Sequence, residues 1–480
     1  IIRRFRVTSD TKIKQAAEVQ ATAGIIDVAR KLEATMLAMG SVQRSQDSVV
    51  IRARLFDINK ESYVWGKTFK RTLASLVSIQ SEIVQGISDQ LEVDLNEMEE
   101  LRVNSKATKS ATAYDFYLKG RSLYYRYQDA SNDSAIVQFR GAIKLDPDYA
   151  RAWAGLGDAL AQRHGRFGRE VAWIDSSLVA GLKAVSLDST LSEAYKAVAN
   201  AYDYRKHYSK AFPYLQKSVE LNPTNEQAVG NLGTNYLVRG DLPNALIWEK
   251  KAVGMNPKNW IPYQLVGWIY RLLGDLSSAE SWLKKSLEYH QTYDTYELLG
   301  YTYVAQGRKQ QAMDLIPQLL RLDSENTRVL ETAGLIANFA GDVKTAEFYF
   351  TKSIDRNPNY KDDRNTFSPI ALGQIRLNQG NQVEAEVYLS QAMNNLMAEV
   401  SQGSESMDLP YYIAAIYAIR GNQELSLQWL QKAIDHNWVD YAQLVHGPYF
   451  SHYRTNPDFQ AKVQHLRVKT EAMKKKAEEN

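Results

Sequence analysis

The chain contains seven histidines and no cysteine, so metal binding and catalysis would have to rest on histidine and carboxylate groups. The HExxH spacing, which holds zinc beside a general base on one helix, does not occur in the sequence. His446 and His452 are six residues apart and could form a ligand pair, but packing or surface histidines are the simpler interpretation. The other histidines are scattered, at His164, His207, His290, His436 and His465. Without cysteine, thiol catalysis, disulfide bonds and mixed Cys/His zinc sites are excluded.

Two basic segments could attract anions. The Gly165-Arg166-Phe167-Gly168 loop is flanked by Arg163, His164 and Arg169, but it lacks the following Lys-Ser/Thr of a phosphate-binding loop. The lysine run 474–476 could contact acidic lipid or nucleic acid. A solvated loop and a frayed, charged helix end explain the two segments more simply. We therefore expect no catalytic residue, no cofactor and no metal in this chain.

Composition narrows the class of protein. Lys+Arg 58 against Asp+Glu 55 gives a net charge of +3, which argues against a dedicated nucleic-acid binder. The longest apolar run, 411–419, has nine residues and is too short to span a bilayer. At about 150 residues per domain, the 480 residues predict roughly three domains. The first residue is Ile rather than Met, which suggests a processed product or a fragment.

One spacing recurs along the middle of the chain and predicts the elements that must carry any site. An aromatic or large apolar residue is followed four positions later by a small residue, then by an alanine, and often by a proline. Five regular copies place their small residues 34, 34, 33 and 34 positions apart, at Ala199, Gly233, Gly267, Gly300 and Gly334. Less regular copies flank them, so we count about nine between residues 113 and 438. Periods of this length indicate a stacked repeat architecture.

Each copy predicts two amphipathic helices of about 13 residues joined by a tight turn. Gly-Asp pairs mark several turns, as at 240–241, 274–275 and 341–342. The small residue on the first helix and the alanine on the second let the two helices approach closely. Proline then ends the second helix. A unit this small cannot bury its apolar face alone, so neighbouring copies must stack.

These residues and their spacing resemble tetratricopeptide repeats over roughly two-thirds of the chain. The resemblance implies a mainly α fold, a right-handed α-solenoid of about nine helix pairs. It also implies that the first helix of each pair lines an exposed concave surface. Residues 439–480, with Gly447-Pro448-Tyr449-Phe450, resemble the capping segment and charged tail that close such arrays.

Residues 1–100 follow a different pattern. Residues 24–33 have helical spacing, three strand-length apolar runs follow at 35–43, 48–57 and 63–70, and a long amphipathic helix is predicted over 73–99. The 29–32 segment, the strand around 50–57 and Ile79-Gln80-Ser81-Glu82-Ile83 resemble the small α/β domain related to the amino-terminal part of TolB. Members of that family begin with a further strand and helix, so this domain is expected to be incomplete at its start.

The concave surface implied by the resemblance is the candidate site. Its predicted residues, taken at fixed offsets within the first helices, are Lys196, Asn200, Tyr204, Thr234, Leu237, Val238, Gln264, Trp268, Arg271, Leu272, Tyr301, Val304, Leu335, Asn338 and Phe339. The middle of this set is apolar, and an apolar strip with polar edges is typical of a partner-binding groove. The alternative is that the strip is filled by the chain's own loop or cap, or by a sister subunit.

The leading hypothesis for function is a non-catalytic protein–protein interaction scaffold that holds a peptide or a partner protein in the groove. By resemblance, such chains form sensory or regulatory regions of bacterial signalling proteins, whose effector is a Ser/Thr kinase, a nucleotide cyclase or a winged-helix regulator. Two alternatives stay open. In the first alternative, the chain is the regulatory half of a kinase or cyclase whose catalytic domain lies upstream. In the second, it is a fixed subunit of a membrane-associated assembly.

Partners and location follow from the same hypothesis. We expect a protein or peptide ligand, self-association as a second mode, and no nucleic acid. The chain has no predicted span, although an anchor upstream is compatible with the resemblance. The expected location is the periplasmic or otherwise extracytoplasmic side of a bacterial inner membrane, with the cytoplasm as the alternative.

Overall fold

A computed structural model describes residues 26–27, 29, 34–44, 48–72, 76–91, 108–356 and 367–479. The chain divides into two compact units, and the division falls inside the repeats. The first unit comprises residues 1–205 and 209–229, and the second comprises 206–208 and 230–480. The predicted domain limits, 1–100, 113–438 and 439–480, stay predictions.

The first unit contains a three-stranded antiparallel sheet in the order β1-β2-β3. Its strands are β1 (Met36–Arg44), β2 (Ser48–Asp57) and β3 (Ser62–Thr72), and they are followed by helix α1 (Leu76–Gln90). The strands agree with the predicted runs, whereas most of the helix predicted over 24–33 lies outside the described residues. The relation to TolB stays a prediction.

One face of the sheet packs against α1. Side chains alternate along β2 as predicted, because Ala53 is buried while Arg52 and Arg54 are exposed. Ala53 and Phe69 form a small core with Ile79 of α1.

The repeats are helix pairs. In the first unit these are α2 (Ala111–Tyr124) with α3 (Asp129–Leu145), α4 (Ala150–Gly165) with α5 (Ala172–Leu187), and α6 (Ser192–Tyr204) with α7 (Tyr208–Leu221). Helix α8 (Glu226–Val238) begins in the first unit and continues into the second.

The second unit continues the pairs and ends in a cap. Its helices are α9 (Leu242–Met255), α10 (Trp260–Leu272), α11 (Leu276–Tyr289), α12 (Tyr293–Ala305), α13 (Lys309–Met313), α14 (Ile316–Leu320), α15 (Thr327–Ala340), α16 (Val343–Arg356), α17 (Phe367–Asn378), α18 (Gln382–Ser401), α19 (Asp408–Ile419), α20 (Gln423–Asp435), α21 (Tyr441–His446) and α22 (Pro457–Glu478). Short helices α13 and α14 together take the place of the second helix in the pair that begins with α12. They are separate because Pro317 lacks the N–H that would continue α13. Across the described parts of 108–479 this makes nine pairs, as expected.

The Gly-Asp turns have a shared geometry that the sequence spacing anticipates. Gly274 adopts φ 75°, a left-handed conformation that glycine tolerates without a Cβ clash. Its N–H donates to the Arg271 carbonyl at 3.1 Å, and the Asp275 N–H donates to the Tyr270 carbonyl at 2.9 Å. The Asp275 carboxylate then accepts from the Ser278 N–H at 3.1 Å and caps α11. One dipeptide thus ends one helix and starts the next.

Signature glycines lie at close helix contacts, within a pair at Gly267 and Gly334 and between neighbouring pairs at Gly300. A Cβ at Gly267 would lie 2.7 Å from Leu283 Cγ of α11, and one at Gly334 would lie 2.6 Å from the Phe350 ring of α16. At both glycines, the absence of a Cβ leaves room for a large side chain of the second helix, as predicted from the repeat spacing.

The second unit closes on itself. Helix α22 contacts α9, and the turn at Gly240 lies against Asn437, where a Cβ on the glycine would be 2.5 Å from the Asn437 carbonyl oxygen. Leu237 and Leu272 therefore share one continuous core with Trp438 and Phe450. We call residues 438–453 the closing segment.

Replacing Gly267 with Leu should destabilise the second unit by about 1–3 kcal/mol, because the added side chain overpacks the contact with Leu283. Chemical denaturation measures the change. The matched control is Gly254→Leu on α9, where, apart from the chain neighbours and the nearby backbone of α9 itself, no described atom lies within 4 Å of the position that a Cβ would occupy. The better helix propensity of leucine should leave the stability of that control equal or higher. Equal effects from the two substitutions would contradict the close-approach role of Gly267.

Candidate interaction surfaces

The predicted strip in the second unit is largely buried rather than exposed. Leu237, Arg271, Leu272, Val304, Leu335, Asn338 and Phe339 each retain less than a tenth of their exposure, and Thr234, Val238, Gln264, Trp268 and Tyr301 are half-buried. The expectation that these side chains face solvent is wrong: Leu237 and Leu272 share a core with the closing segment, whereas Val304, Leu335 and Phe339 pack in a core formed by the repeat helices. A binding role for the strip stays a prediction.

A buried ion pair holds the closing segment. Both arms of the Arg271 guanidinium donate to the Asp440 carboxylate, and the Nη1–Oδ1 distance is 3.0 Å. The two side chains are 3% and 7% exposed. Burial alone would lower the pKa of Arg271, but the Asp440 carboxylate outweighs it and the pKa is raised. Asp440 also caps α21 by accepting from the Gln443 N–H at 2.9 Å.

Aromatic contacts extend this attachment. The Trp438 ring stacks on Tyr411 with centroids 4.3 Å apart, and its indole N–H donates to Asp408 at 3.0 Å. Burial raises the pKa of Asp408 to about 6, with the nearby Asp440 carboxylate adding to the effect. Further along, the Gln374 amide donates to the Pro448 carbonyl at 3.1 Å.

Beside the closing segment lies a pair of carboxyl groups. Glu331 is fully buried and accepts from the Ser368 N–H at 3.0 Å, from its hydroxyl and from Arg328. Glu297 is half-buried, and burial raises its pKa from 4.5 to about 7, opposed by Arg328 and reinforced by Glu331. Glu297 therefore ionises near neutral pH.

In the first unit, the predicted Lys196 belongs to a buried polar network. The Lys196 ammonium donates to Asp158 at 2.7 Å and to the Gln227 amide oxygen at 2.9 Å. Asn200 donates to the other oxygen of Asp158 at 2.9 Å, and the Gln227 amide donates to the Tyr127 hydroxyl at 3.0 Å. Since Lys196 is 2% exposed, it orders the surface instead of facing solvent.

Three tyrosines stay accessible around this network: Tyr125 is 45% exposed, and Tyr127 and Tyr204 are each 40% exposed. The guanidinium of Arg166 lies over the Tyr127 ring at 4.9 Å. Gly165 leaves room for Tyr204, because a Cβ there would lie 1.9 Å from that ring. Of the three predicted residues in this unit, only Tyr204 is exposed. Tyr125, Tyr127 and Asp158 are additional to the predicted set.

The loop that follows α4 is neutralised locally. Arg163 pairs with Asp133 at 2.7 Å, and Arg169 pairs with Asp129 at 2.6 Å. Two of its flanking cations are thus already matched, which agrees with a solvated loop.

Metal-binding clusters and membrane-spanning helices do not occur in the part of the chain that the structure describes. Its residues contain no group of three or more His, Asp and Glu side chains that could hold a metal ion. Among the helices with described coordinates, none is both long and apolar enough to cross a membrane.

Family comparisons bear on the repeats. Tetratricopeptide repeat models match residues 117–183, 192–225, 262–291 and 293–326. These segments carry tetratricopeptide repeats. Repeats of this type mediate protein–protein interaction, and this architecture points to a non-catalytic chain.

Similar solved structures include the following three, all with TM-scores below 0.5. The human IFIT1 dimer with PPP-AAAA has a TM-score of 0.46 at 14% identity, covering 74% of this chain and 79% of that chain. YrrB, described as a TPR protein with an unusual peptide-binding site, has a TM-score of 0.27 at 19% identity, covering 46% and 93%. PilF of Pseudomonas aeruginosa has a TM-score of 0.33 at 15% identity, covering 52% and 94%.

Among curated proteins, "Putative adenylate cyclase 3" of Rhizobium meliloti (strain 1021) is 27% identical over 135 residues. The match covers 28% of this chain and spans 23% of that relative.

Replacing Asp440 with Asn should lower the free energy of unfolding by about 3–5 kcal/mol, because it keeps the helix cap but leaves the Arg271 charge buried without a partner. Urea denaturation measures the loss. Glu288→Gln, which breaks the exposed Lys285–Glu288 pair of 2.6 Å, is the control and should leave the free energy of unfolding nearly unchanged, because solvent screens that pair. A loss for Asp440→Asn as small as the control's would show that the pair does not hold the closing segment.

The raised pKa of Glu297 predicts a pH dependence of stability. The folded state holds the Glu297 proton more tightly than the unfolded state, so stability falls as pH rises from 4.5 to about 7. Glu297→Gln stays neutral and lacks this fall. Thermal unfolding of both proteins across that range should show their difference growing in favour of the variant as pH rises, whereas parallel curves would contradict a buried carboxyl.

Proposed function

We propose that this chain is a non-catalytic interaction scaffold in the regulatory region of a bacterial signalling protein, and that it binds an extended peptide segment of a partner on the first unit. The supporting observation is the set of accessible tyrosines, Tyr125, Tyr127 and Tyr204, around the buried Asp158–Lys196 network. Tyrosine and arginine are the residue types that most often carry binding energy at protein interfaces. Binding should cost these side chains little conformational entropy, because the buried network already fixes the surface around them.

The backbone at Tyr127 strengthens the choice of this surface. Tyr127 adopts φ 54°, a left-handed conformation that costs a non-glycine residue about 1–3 kcal/mol. The hydrogen bond from Gln227 and the Arg166 contact hold the ring in that position. Such strain at an exposed aromatic side chain is typical of sites under functional constraint.

The same reasoning disfavours the strip of the second unit as the primary site. A peptide would have to displace the closing segment, with its Arg271–Asp440 pair and the Trp438 stack. Both are buried, so displacement would expose core and leave charges unpaired.

The regulatory half of a longer nucleotide cyclase is the second candidate for the whole protein. It is supported by the 27% identity to the Rhizobium meliloti relative, of which the match spans 23%. A Ser/Thr kinase upstream and a fixed subunit of a membrane-associated assembly rest on the sequence resemblance alone, as does an extracytoplasmic location. Reading the gene upstream of Ile1 for cyclase metal aspartates separates the cyclase from the others.

The peptide-binding role predicts a specific loss. Peptides selected on the immobilised full chain from a random-peptide display library should bind Tyr127→Ala/Tyr204→Ala at least tenfold more weakly, about 1.4 kcal/mol, by fluorescence polarisation. The control is Tyr289→Ala, an equally exposed tyrosine of α11 in the second unit, which should bind as the wild type does.

A third variant tests the other surface. If Trp268→Ala/Tyr301→Ala loses peptide binding while its melting is unchanged and the Tyr127/Tyr204 variant binds normally, the partner uses the strip and the proposed site is wrong.

A further inference from the structure

The α8–α9 pair carries a carboxyl group where six other pairs carry a large apolar side chain. In those pairs the residue sixteen positions after the signature small residue is buried and apolar, namely Leu215, Leu283, Ile316, Phe350, Leu389 and Leu430. In α8–α9 the corresponding residue is Glu249, sixteen positions after Gly233, and it is fully buried. The contact between these two helices therefore contains an acid in place of the usual apolar group.

The Glu249 carboxyl has few hydrogen-bond partners. It lies beside Gly233, where a Cβ would be 2.7 Å from Glu249 Oε1. The Thr234 hydroxyl is 3.2 Å from that oxygen and also 3.2 Å from the Gly230 carbonyl, so two acceptors share its single hydrogen. Glu249 Oε2 has no hydrogen-bond partner among the described residues. A carboxylate at this place would be stabilised by one shared hydrogen bond.

Among the described residues, no cation pairs with this carboxyl. Residues 230–238 of α8 include no charged side chain. On α10, Arg271 is paired with the closing segment, and on α22 the Lys469 ammonium donates to an amide oxygen at 3.0 Å. The two lysines that follow Glu249 on α9 lie over aromatic rings, at 5.4 and 4.5 Å. Burial therefore raises the pKa of Glu249 well above its usual value, and the Thr234 hydroxyl opposes the shift.

The charge state of Glu249 is thus linked to the packing of α8 on α9. A buried carboxylate without a cation is strongly unfavourable, so the packed pair holds the proton. When the helices separate, water reaches the carboxyl and it ionises at its ordinary pKa. Separation therefore releases a proton. A rise in pH above that ordinary pKa favours the separated pair, until the raised pKa of the packed pair is reached.

We propose that loss of the Glu249 proton opens the α8–α9 pair locally, and that this opening uncovers apolar surface of the second unit. Leu237 of α8 and Leu242 of α9 belong to the core shared with the closing segment. The turn between the two helices lies against Asn437, directly before that segment. Separation of the helices would therefore loosen the closing segment on this side, and the part of the strip at Leu237 would become accessible as the pH rises.

Hydrogen exchange of the full chain, measured by mass spectrometry from about pH 5 to about pH 8, tests this link. The opening constant of the α8 and α9 amides, corrected for intrinsic exchange, should rise with pH relative to that of Glu249→Gln. The rise should reach up to about tenfold per pH unit, because glutamine has a similar shape and no proton to lose. Glu297 ionises in the same range, but both proteins contain it and its effect cancels in the ratio.

Two further variants make this comparison specific. Glu288→Gln, which removes an exposed carboxylate of α11, is the matched control and should keep the pH dependence of the wild type. Glu249→Leu restores the apolar residue of the other pairs, and it should lower the opening constant of α8–α9, most strongly at the higher pH. Parallel pH profiles of the wild type and Glu249→Gln, or an opening constant of Glu249→Leu above that of the wild type near pH 8, would overturn the proposal.

Thiol labelling tests whether the opening uncovers the core. The chain has no native cysteine, so Leu237→Cys reports on that buried position alone. Its labelling rate by a methanethiosulfonate reagent is compared with and without Glu249→Gln, which cancels the ionisation of the thiol. The ratio of the two rates should rise with pH, whereas the ratio for Leu319→Cys, an equally buried leucine of α14, should stay constant. A constant ratio at position 237 would contradict the uncovering of the strip.

Discussion

The second unit depends on one constraint: a helix pair cannot bury its apolar face alone. Pairs approach closely at small residues, as Gly267 does against Leu283, and each pair then needs a neighbour on either side. In an open array the terminal pairs would leave one face uncovered. Here the end of the second unit returns to the start of the same unit, as the contact between Gly240 and Asn437 shows. Closure therefore replaces separate caps with one shared core.

Closure also changes the meaning of the concave side. In the second unit that side becomes interior, and Arg271 and Asp440 form a charge pair inside it. In the first unit the corresponding surface keeps its tyrosines accessible around Asp158 and Lys196. The proposed peptide site therefore lies in the first unit, where these side chains are accessible.

Much of the fold could be predicted from the sequence, because the residues that shape each helix pair recur at a regular spacing. The signature glycines, the Gly-Asp turns and the number of helix pairs followed from spacing alone. The burial of Leu237 and Leu272 did not, because it depends on closure by residues about 165 to 200 positions later along the chain, such as Trp438. The sequence could have predicted Asp158 and Tyr125. The offsets used for the regular copies lead to Asp158 when they are counted from Trp153 in the second copy, and to Tyr125 when they are counted from Phe116 in the first.

The Arg271–Asp440 pair joins positions 169 residues apart, and this separation matters while the chain is being made. The strip is synthesised first and its cover last. Until Asp440 leaves the ribosome, Leu237, Leu272 and Phe339 have no partner from the closing segment, so the nascent chain presents apolar surface that the finished protein hides. The second unit therefore completes its native core late in translation. A chain truncated before Asp440 should keep this apolar surface exposed and be prone to aggregate, instead of forming a slightly shorter scaffold.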